Sequence, residues 1–168
     1  MDRQISREQP IDVDIQPAYL DAMLRNRSVP VDTVLPHVTY QNLAQAIDWL
    51  TSTFGFVERY RYGDPVQGAQ LRLGKAFVMV NSARAGRSSP AELGGSTQSL
   101  TIFIEDVEAH YEHARAAGAS IGEELHETAY GELQYGVEDI EGHQWLFSRH
   151  AHDVSPDAWG ATVTTRLE

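Results

Sequence analysis

The alternation of apolar and polar residues follows one plan twice along the chain. In each copy a short apolar strand precedes residues spaced by three and four positions, which is the spacing of one helical face. In the segment 35–56 these helical residues are Leu43, Ile47, Leu50 and Phe54. In the segment 99–119 they are Val107, Tyr111 and Ala114, with Gly118 following them. The pattern predicts a strand and then a helix in each copy.

Three extended stretches separated by glycine-containing turns follow each predicted helix. They span 56–62, 69–73 and 76–82 in the first copy, and 119–127, 133–138 and 144–149 in the second. Each copy therefore has the order βαβββ, and the predicted fold class is α+β. A sheet with a helix on one face leaves its other face to be covered. We therefore expect two βαβββ modules that form an incomplete barrel around a central cavity.

The remaining segments are expected to surround these modules within one domain. The modules occupy 35–83 and 99–150, and the Pro-, Ser- and Gly-containing segment 84–98 between them is predicted to be a linker. Because it lacks a phosphate-binding glycine motif, we do not interpret it as a nucleotide site. Residues 1–34 are predicted to form an N-terminal arm with a short helix, Pro17 to Arg27. Residues 151–168 are predicted to form a tail with a short helix that starts at Ser155 and is anchored by Trp159.

The composition excludes several functional classes. The 168 residues include 24 acidic and 13 basic side chains, a formal charge of −11, which repels nucleic acid and anionic membranes. Cysteine is absent, which excludes disulfides, thiolate metal sites and cysteine nucleophiles. No apolar run approaches the roughly 18 residues of a membrane span. We expect a cytoplasmic protein without a nucleic-acid or membrane partner.

The segment 130–154, YGELQYGVEDIEGHQWLFSRHAHDV, resembles a signature of the vicinal-oxygen-chelate superfamily, which includes glyoxalases, bleomycin resistance proteins and dioxygenases. The resemblance extends over about 36–160, with Ile140 where proline is usual. It implies a homodimer. It also implies a divalent metal held by His, Gln or Glu side chains on the first and last strand of each module.

The four metal positions implied by the resemblance carry no ordinary ligand. Within about two residues they fall at Leu35, Met79, Ser99 and Leu146. Nearby neutral side chains that could bind a metal only weakly are Asn81, Gln98 and Gln144. We therefore predict no metal and no other cofactor. The alternative is one divalent metal with displaced ligands around His37.

The other histidines are interpreted as structural. His110 and His113 lie among glutamates on the second helix, which favours a solvated face. His143 is expected to fix the Gly-His turn of the signature. His150 and His152 could face one side of a strand end, but the nearby sequence offers no third ligand.

Strand alternation predicts which side chains line the cavity. They are His37, Thr39, Phe77, Met79, Asn81, Ser99, Thr101, Phe103, Gln144, Leu146 and Ser148. Tyr130 and Tyr135 are expected to add stacking at the mouth. A mainly apolar cleft with a few polar points suits a small organic ligand, although plain core packing would use the same residues.

Three functions remain open. The preferred one is a small-molecule-binding protein without catalytic metal, which sequesters an organic or antibiotic-like ligand. The second is an enzyme: a metal-dependent lyase, isomerase or dioxygenase acting on a vicinal-oxygen substrate, or a metal-free catalyst with His37 as general base. The third is a structural module whose cavity is filled by its own Phe77, Met79, Phe103 and Leu146.

Overall fold

A computed structural model describes residues 34–164. The helix predicted within the N-terminal arm falls outside this range. The first module contains β1 (His37–Tyr40), α1 (Leu43–Phe54), β2 (Val57–Tyr62), β3 (Gly68–Leu73) and β4 (Ala76–Ser82). After α2 (Pro90–Leu93), the second module contains β5 (Ser99–Phe103), α3 (Val107–Ala116), β6 (Ser120–Glu127), β7 (Glu132–Glu138) and β8 (Gln144–His150). A 3₁₀ helix (Pro156–Trp159) follows.

The strands of residues 34–164 form two four-stranded sheets with the orders β1-β4-β3-β2 and β5-β8-β7-β6. In each sheet the first strand is parallel to the last, and the other pairs are antiparallel. This topology confirms the α+β class and the two βαβββ modules. Neither sheet closes into a barrel.

The two long helices begin in the same way. The side chains of Asn42 and Asp106 accept hydrogen bonds from the backbone N–H groups three residues later, as N-cap residues do. The helix α1 ends at Gly55, whose φ of 72° is left-handed and favours glycine. The helix α3 ends at Ala117, one residue before the predicted stop at Gly118.

One apolar core fills the space between the helices and the sheets. The helix-facing side chains of both modules belong to it, including Leu50 and Phe54 from the first module and Trp145 and Phe147 from the second. The ring of Phe54 contacts those of Trp145 and Phe147 at centroid distances of 6.0 and 5.0 Å. The modules are therefore joined through shared apolar packing.

A buried polar junction also joins the modules. Asp139 is 6% exposed; one of its carboxylate oxygens accepts from the Tyr40 hydroxyl at 2.6 Å and from the Trp145 indole N–H at 3.0 Å. Its other oxygen accepts from the backbone N–H groups of Glu141 and His143, both at 3.0 Å. This single carboxylate thus ties the β7–β8 turn to the end of β1.

Glu141 adds a second connection at the same junction. Its carboxylate accepts from the backbone N–H groups of Gln41 and Asn42 at 2.7 and 2.9 Å, a stabilising position for an anion because α1 starts there. Its backbone carbonyl accepts from the N–H of Ala91 at 2.9 Å. The predicted linker therefore contains the one-turn helix α2, which is fastened to the signature turn.

The helices found between residues 34 and 164 include none long and apolar enough to span a bilayer.

Candidate functional site

One face of each sheet packs against the helix of its module. We call the opposite face open face 1 in the first module and open face 2 in the second. Open face 1 carries the predicted site residues His37, Thr39, Phe77, Met79 and Asn81, which alternate with core residues of β1 and β4. Open face 2 carries Ser99, Thr101, Phe103, Gln144, Leu146 and Ser148, which alternate with core residues of β5 and β8. Within residues 34–164 no hydrogen bond or aromatic contact links the two groups. The structure therefore brings the predicted residues together as two sets.

Strand pairing arranges open face 1 in two rows across the sheet. The first row is His37, Met79, Gln70 and Tyr60. The second row is Thr39, Asn81, Gly68 and Tyr62. Neither row contains a carboxylate. Three of these side chains, Thr39, Gln70 and Met79, are buried.

A hydrogen-bonded chain runs along the second row and ends at His37. The Tyr62 hydroxyl donates to Asn81 Oδ1 at 3.3 Å, and Asn81 Nδ2 lies 3.3 Å from His37 Nδ1. Tyr62 crosses β3 directly over Gly68, where a β-carbon would overlap the tyrosine ring. Glycine at this position therefore allows the chain to form.

A cation also lies on open face 1. Arg59 donates to Gln70 Oε1 at 2.8 Å, and its guanidinium is 5.6 Å from the centroid of the Phe77 ring, within the range of a cation–π contact. A register shift between Glu58 and Tyr60 interrupts the pairing of β2 with β3 at this point. Sequence reasoning missed Arg59, Gln70 and Tyr62, although strand alternation along β2 and β3 would have indicated Gln70 and Tyr62.

Open face 2 has a different polar character. Gln134 Oε1 accepts from Ser148 at 3.0 Å and from the Tyr130 hydroxyl at 3.4 Å, while its amide nitrogen donates to Glu123 at 3.1 Å. Phe103 is 61% exposed. This face thus combines an exposed aromatic ring with an array that ends in a carboxylate.

Comparison with known proteins identifies the family. The model of the Glyoxalase/Bleomycin resistance protein/Dioxygenase superfamily matches residues 32–147. The chain belongs to this superfamily. The crystal structure of TioX from Micromonospora sp. ML1 is 30% identical, with a TM-score of 0.60, over 71% of this chain and 98% of TioX.

Two further relatives agree with this assignment. An uncharacterized protein of Mycobacterium bovis is 29% identical over 139 residues, which are 78% of this chain and 91% of the relative. A glyoxalase/bleomycin resistance protein/dioxygenase family enzyme from Burkholderia phytofirmans is 20% identical, with a TM-score of 0.55, over 69% of this chain and 96% of the other. The latter likeness concerns the fold alone.

The strand register locates the metal positions implied by the superfamily resemblance. Leu35 precedes the helix cap of its module by the same interval as Ser99 does in the second module. Met79 pairs with His37, and Leu146 pairs with Thr101. His37 and Thr101 each lie two residues beyond Leu35 and Ser99. The four positions are therefore equivalent in the two modules.

The side chains at these positions do not fit a catalytic divalent metal. Two leucines offer no donor atom, a thioether is a soft ligand, and a neutral serine hydroxyl is a poor one. Near His37 the cross-strand neighbours are Met79 and Asn81, which supply neither a carboxylate nor a second imidazole. The described part of the chain contains no group of three or more His, Cys, Asp or Glu residues that could hold a metal.

The expectation that His110 lies on a solvated helix face was wrong. Its Nε2 donates to the carbonyl oxygen of Phe54 at 3.0 Å, and its Nδ1 accepts from the Tyr135 hydroxyl at 2.6 Å. Burial lowers the pKa of His110, the hydrogen bond to Phe54 raises it, and the nearby His113 lowers it further. His113 itself is exposed and donates to the carbonyl of Ser52 at 2.8 Å. Both histidines therefore connect α3 to α1.

The expectation that Tyr135 stacks at the mouth of the cavity was also wrong. It is 0% exposed and lies in the core, where its ring stacks on Phe147 at 5.5 Å, so it cannot stack at the mouth of a cavity. Burial raises the pKa of its hydroxyl. Tyr130 is 42% exposed and contacts the Trp159 ring at 5.9 Å.

The remaining histidines have structural contacts. His143 is buried, and its Nε2 donates to the carbonyl of Thr39 at 2.8 Å, so it holds the signature turn against β1. His150 pairs with Glu132 and Asp153, each at 3.0 Å, and the hydrogen bond to Glu132 is the main reason that its pKa is raised. His152 pairs with the carboxylate of Glu127.

A cleft of about 830 Å³ lies between the β3–β4 turn of the first module and the start of α3 in the second. Its lining residues are Leu73, Gly74, Lys75, Phe103, Ile104, Glu105, Asp106, His110, Arg149 and His150. Of the predicted site residues only Phe103 borders it. The other ten predicted residues lie elsewhere on the two open faces.

Proposed function

We propose that the chain is a small-molecule-binding protein of the glyoxalase/bleomycin-resistance type that works without a catalytic metal and sequesters an organic ligand. The observation that carries this proposal is the replacement of all four metal positions by Leu35, Met79, Ser99 and Leu146. A Lewis acid needs charged or imidazole donors, and these positions supply none. Binding by burial and hydrogen bonds needs no such donors.

The open faces have the chemistry of a ligand site. Phe103 and Tyr62 are 61% and 47% exposed, and they lie beside polar side chains whose orientations are already fixed by hydrogen bonds. An aromatic or aliphatic ligand would cover the rings, and the polar atoms would select among ligands. The exposed ring of Phe103 also argues against a cavity filled by its own side chains.

We further propose that the working form is a homodimer. No hydrogen bond or aromatic contact joins the two sets of predicted residues in the described chain, so each open face can be covered by the opposite open face of a second copy. A ligand would then lie between residues of both copies. Sedimentation equilibrium tests this arrangement, and a monomer at micromolar concentration would contradict it.

Metal retention tests the metal-free assignment. The protein is dialysed with Mn²⁺, Fe²⁺, Co²⁺, Ni²⁺ or Zn²⁺, dialysed again without metal, and analysed by inductively coupled plasma mass spectrometry. We expect no stoichiometric retention. The matched variant Ser99→His/Leu146→Glu restores two donors on neighbouring strands and should retain metal measurably. Stoichiometric metal in the unaltered protein would overturn the proposal.

Ligand binding is tested with the neutral fluorescent probe N-phenyl-1-naphthylamine. Saturable binding to the native protein is expected, and Phe103→Ser should weaken it because this ring is the exposed aromatic surface of open face 2. Leu93→Ser is the control, since Leu93 is 67% exposed on α2, a segment that belongs to neither sheet. Equal loss in both variants would mean that the probe reports nonspecific surface.

A further inference from the structure

We infer that His37 presents a fixed N–H donor, at Nε2, to open face 1, and that the ligand places an anionic oxygen, a carboxylate or phenolate, against it. The inference rests on the proposed function and names the ligand chemistry of the same face. It comes from the hydrogen bonds of Asn81 and from the distribution of charge over the two open faces.

The orientation of the Asn81 amide is determined by its neighbours. Its nitrogen lies 3.5 Å from the carbonyl oxygens of Val38 and Met79, which can only accept. Its oxygen accepts from the Tyr62 hydroxyl at 3.3 Å. The reverse orientation would place the amide oxygen against two carbonyl oxygens, so it is excluded.

This orientation determines the tautomer of His37. An amide nitrogen can donate but cannot accept, and Asn81 Nδ2 lies 3.3 Å from His37 Nδ1. Nδ1 must therefore carry the lone pair, and the proton of the neutral ring is on Nε2. No hydrogen bond within residues 34–164 occupies Nε2, and His37 is exposed, so the Nε2 N–H is available to a ligand.

The same tautomer disfavours the other roles considered for His37. A general base needs a lone pair facing the substrate, whereas Nε2 carries a proton. A metal on Nε2 would require the proton to move to Nδ1, toward the amide hydrogens of Asn81. His37 is therefore suited to donate a hydrogen bond.

The charge on the face favours an anionic acceptor. The two rows of open face 1 contain no carboxylate, and Arg59 stands beside them over Phe77. Open face 2, by contrast, contains Glu123 and Glu138, each accepting a hydrogen bond from a glutamine. An anionic oxygen would avoid the carboxylates of open face 2 and find donors on open face 1.

Nitrogen NMR tests the tautomer without any ligand. Long-range ¹H–¹⁵N correlations at mildly alkaline pH should show His37 protonated on Nε2. His126 is an internal control of opposite sign, because its Nδ1 lies 2.9 Å from the carbonyl oxygen of Glu124, closer than its Nε2 lies to the Glu123 carboxylate at 3.4 Å, so the proton of the neutral ring is expected on Nδ1. The substitution Asn81→Asp supplies an acceptor to Nδ1 and should move the His37 proton there. A wild-type His37 protonated on Nδ1 would overturn the inference.

Binding of two matched probes tests the ligand chemistry. Naphthoate offers an anionic oxygen, whereas naphthylmethylammonium offers only donors. The variant His37→Leu removes the exposed donor and should weaken naphthoate binding about tenfold, the value of one hydrogen bond, and leave the ammonium probe unchanged. If naphthoate binds equally to both proteins, the donor role is wrong and the binding function stands. If neither probe binds, the binding function fails for aromatic ligands, and the NMR result still decides the tautomer.

Discussion

The substitution Asp139→Ala tests the polar junction between the modules. It leaves four donors without their acceptor, namely the Tyr40 hydroxyl, the Trp145 indole and two backbone N–H groups. Tyr40 and Trp145 are 0% and 1% exposed, so water cannot replace the carboxylate for them. An unsatisfied buried group costs about 1–3 kcal/mol. If the turn amides recover water, the two buried side chains alone lower the free energy of unfolding by roughly 4 kcal/mol.

The isosteric variant Asp139→Asn should cost less. Its amide oxygen can keep the two backbone hydrogen bonds, while its NH₂ group faces the Tyr40 hydroxyl, which can turn and accept, and the Trp145 N–H, which cannot. We expect a loss of about 2 kcal/mol for one unsatisfied buried donor. The exposed Asp153 provides the control Asp153→Ala, which should change stability by less than about 0.5 kcal/mol.

Urea unfolding followed by tryptophan fluorescence and by circular dichroism measures these differences. Coincident transitions with an unchanged urea dependence are needed before the free energies are compared. A free energy of unfolding of Asp139→Ala within about 1 kcal/mol of that of the unaltered protein would refute the role given to Asp139, because two unsatisfied buried donors cost more than this. Equal losses in the Ala and Asn variants would refute the assignment of separate roles to the two carboxylate oxygens.

Three further changes test other parts of the structure. Because burial lowers the pKa of His110 in the folded protein, the unfolded chain binds a proton at this histidine more readily. The free energy of unfolding should therefore fall as pH drops below 6.5. Urea titrations of His110→Gln should show a weaker dependence of this free energy on pH. Gly131 has a φ of 88°, and a β-carbon there would overlap a backbone carbonyl oxygen just past β8, so Gly131→Ala should lower the free energy of unfolding by about 2–3 kcal/mol. The control Gly122→Ala should change it little, because the space around Gly122 is open. Similar losses in the two variants would contradict the clash. Gly68→Ala should displace the exposed Tyr62 ring and lower the free energy of unfolding by less than about 1 kcal/mol. The NMR resonances of the Tyr62 ring should change. Unchanged resonances would contradict the packing of this ring over Gly68.

The secondary structure could be predicted because each element is buried on one side. The apolar spacing of α1 and the alternation of the strands reflect this one-sided burial. The predicted strand 133–138 corresponds to β7, Glu132–Glu138, and the predicted strand 76–82 to β4, Ala76–Ser82. Periodicity therefore located these two strands to within about one residue.

The contacts of His110 could not be predicted from its sequence neighbours, because they depend on tertiary packing and the adjacent glutamates favour a solvated position. His110 follows Val107 by three residues and precedes Ala114 by four, so it shares their helical face. Its contact with the end of α1 joins residues far apart in sequence. The helical spacing therefore indicates a core-facing position for His110, whereas the neighbouring glutamates favour a solvated one.

The hydrogen bonds of open face 1 could not be obtained from periodicity. Alternation assigns a face to each residue, but the position of Arg59 depends on the register shift beside it in β2. The chain from Tyr62 to His37 depends on the absence of a side chain at Gly68 on the strand between. Such contacts require the register of all four strands, which the sequence does not specify.

The signature of the superfamily and the chemistry of the site use different side chains of β8 and of the turn before it. Asp139, His143 and Trp145 serve the junction and the core. Leu146, between Trp145 and Phe147, points to the open face because side chains alternate along a strand. A metal position can therefore be replaced without altering the contacts that hold the modules together. This separation explains how the chain keeps the fold and the signature while Leu35, Met79, Ser99 and Leu146 stand where the resemblance implies metal ligands.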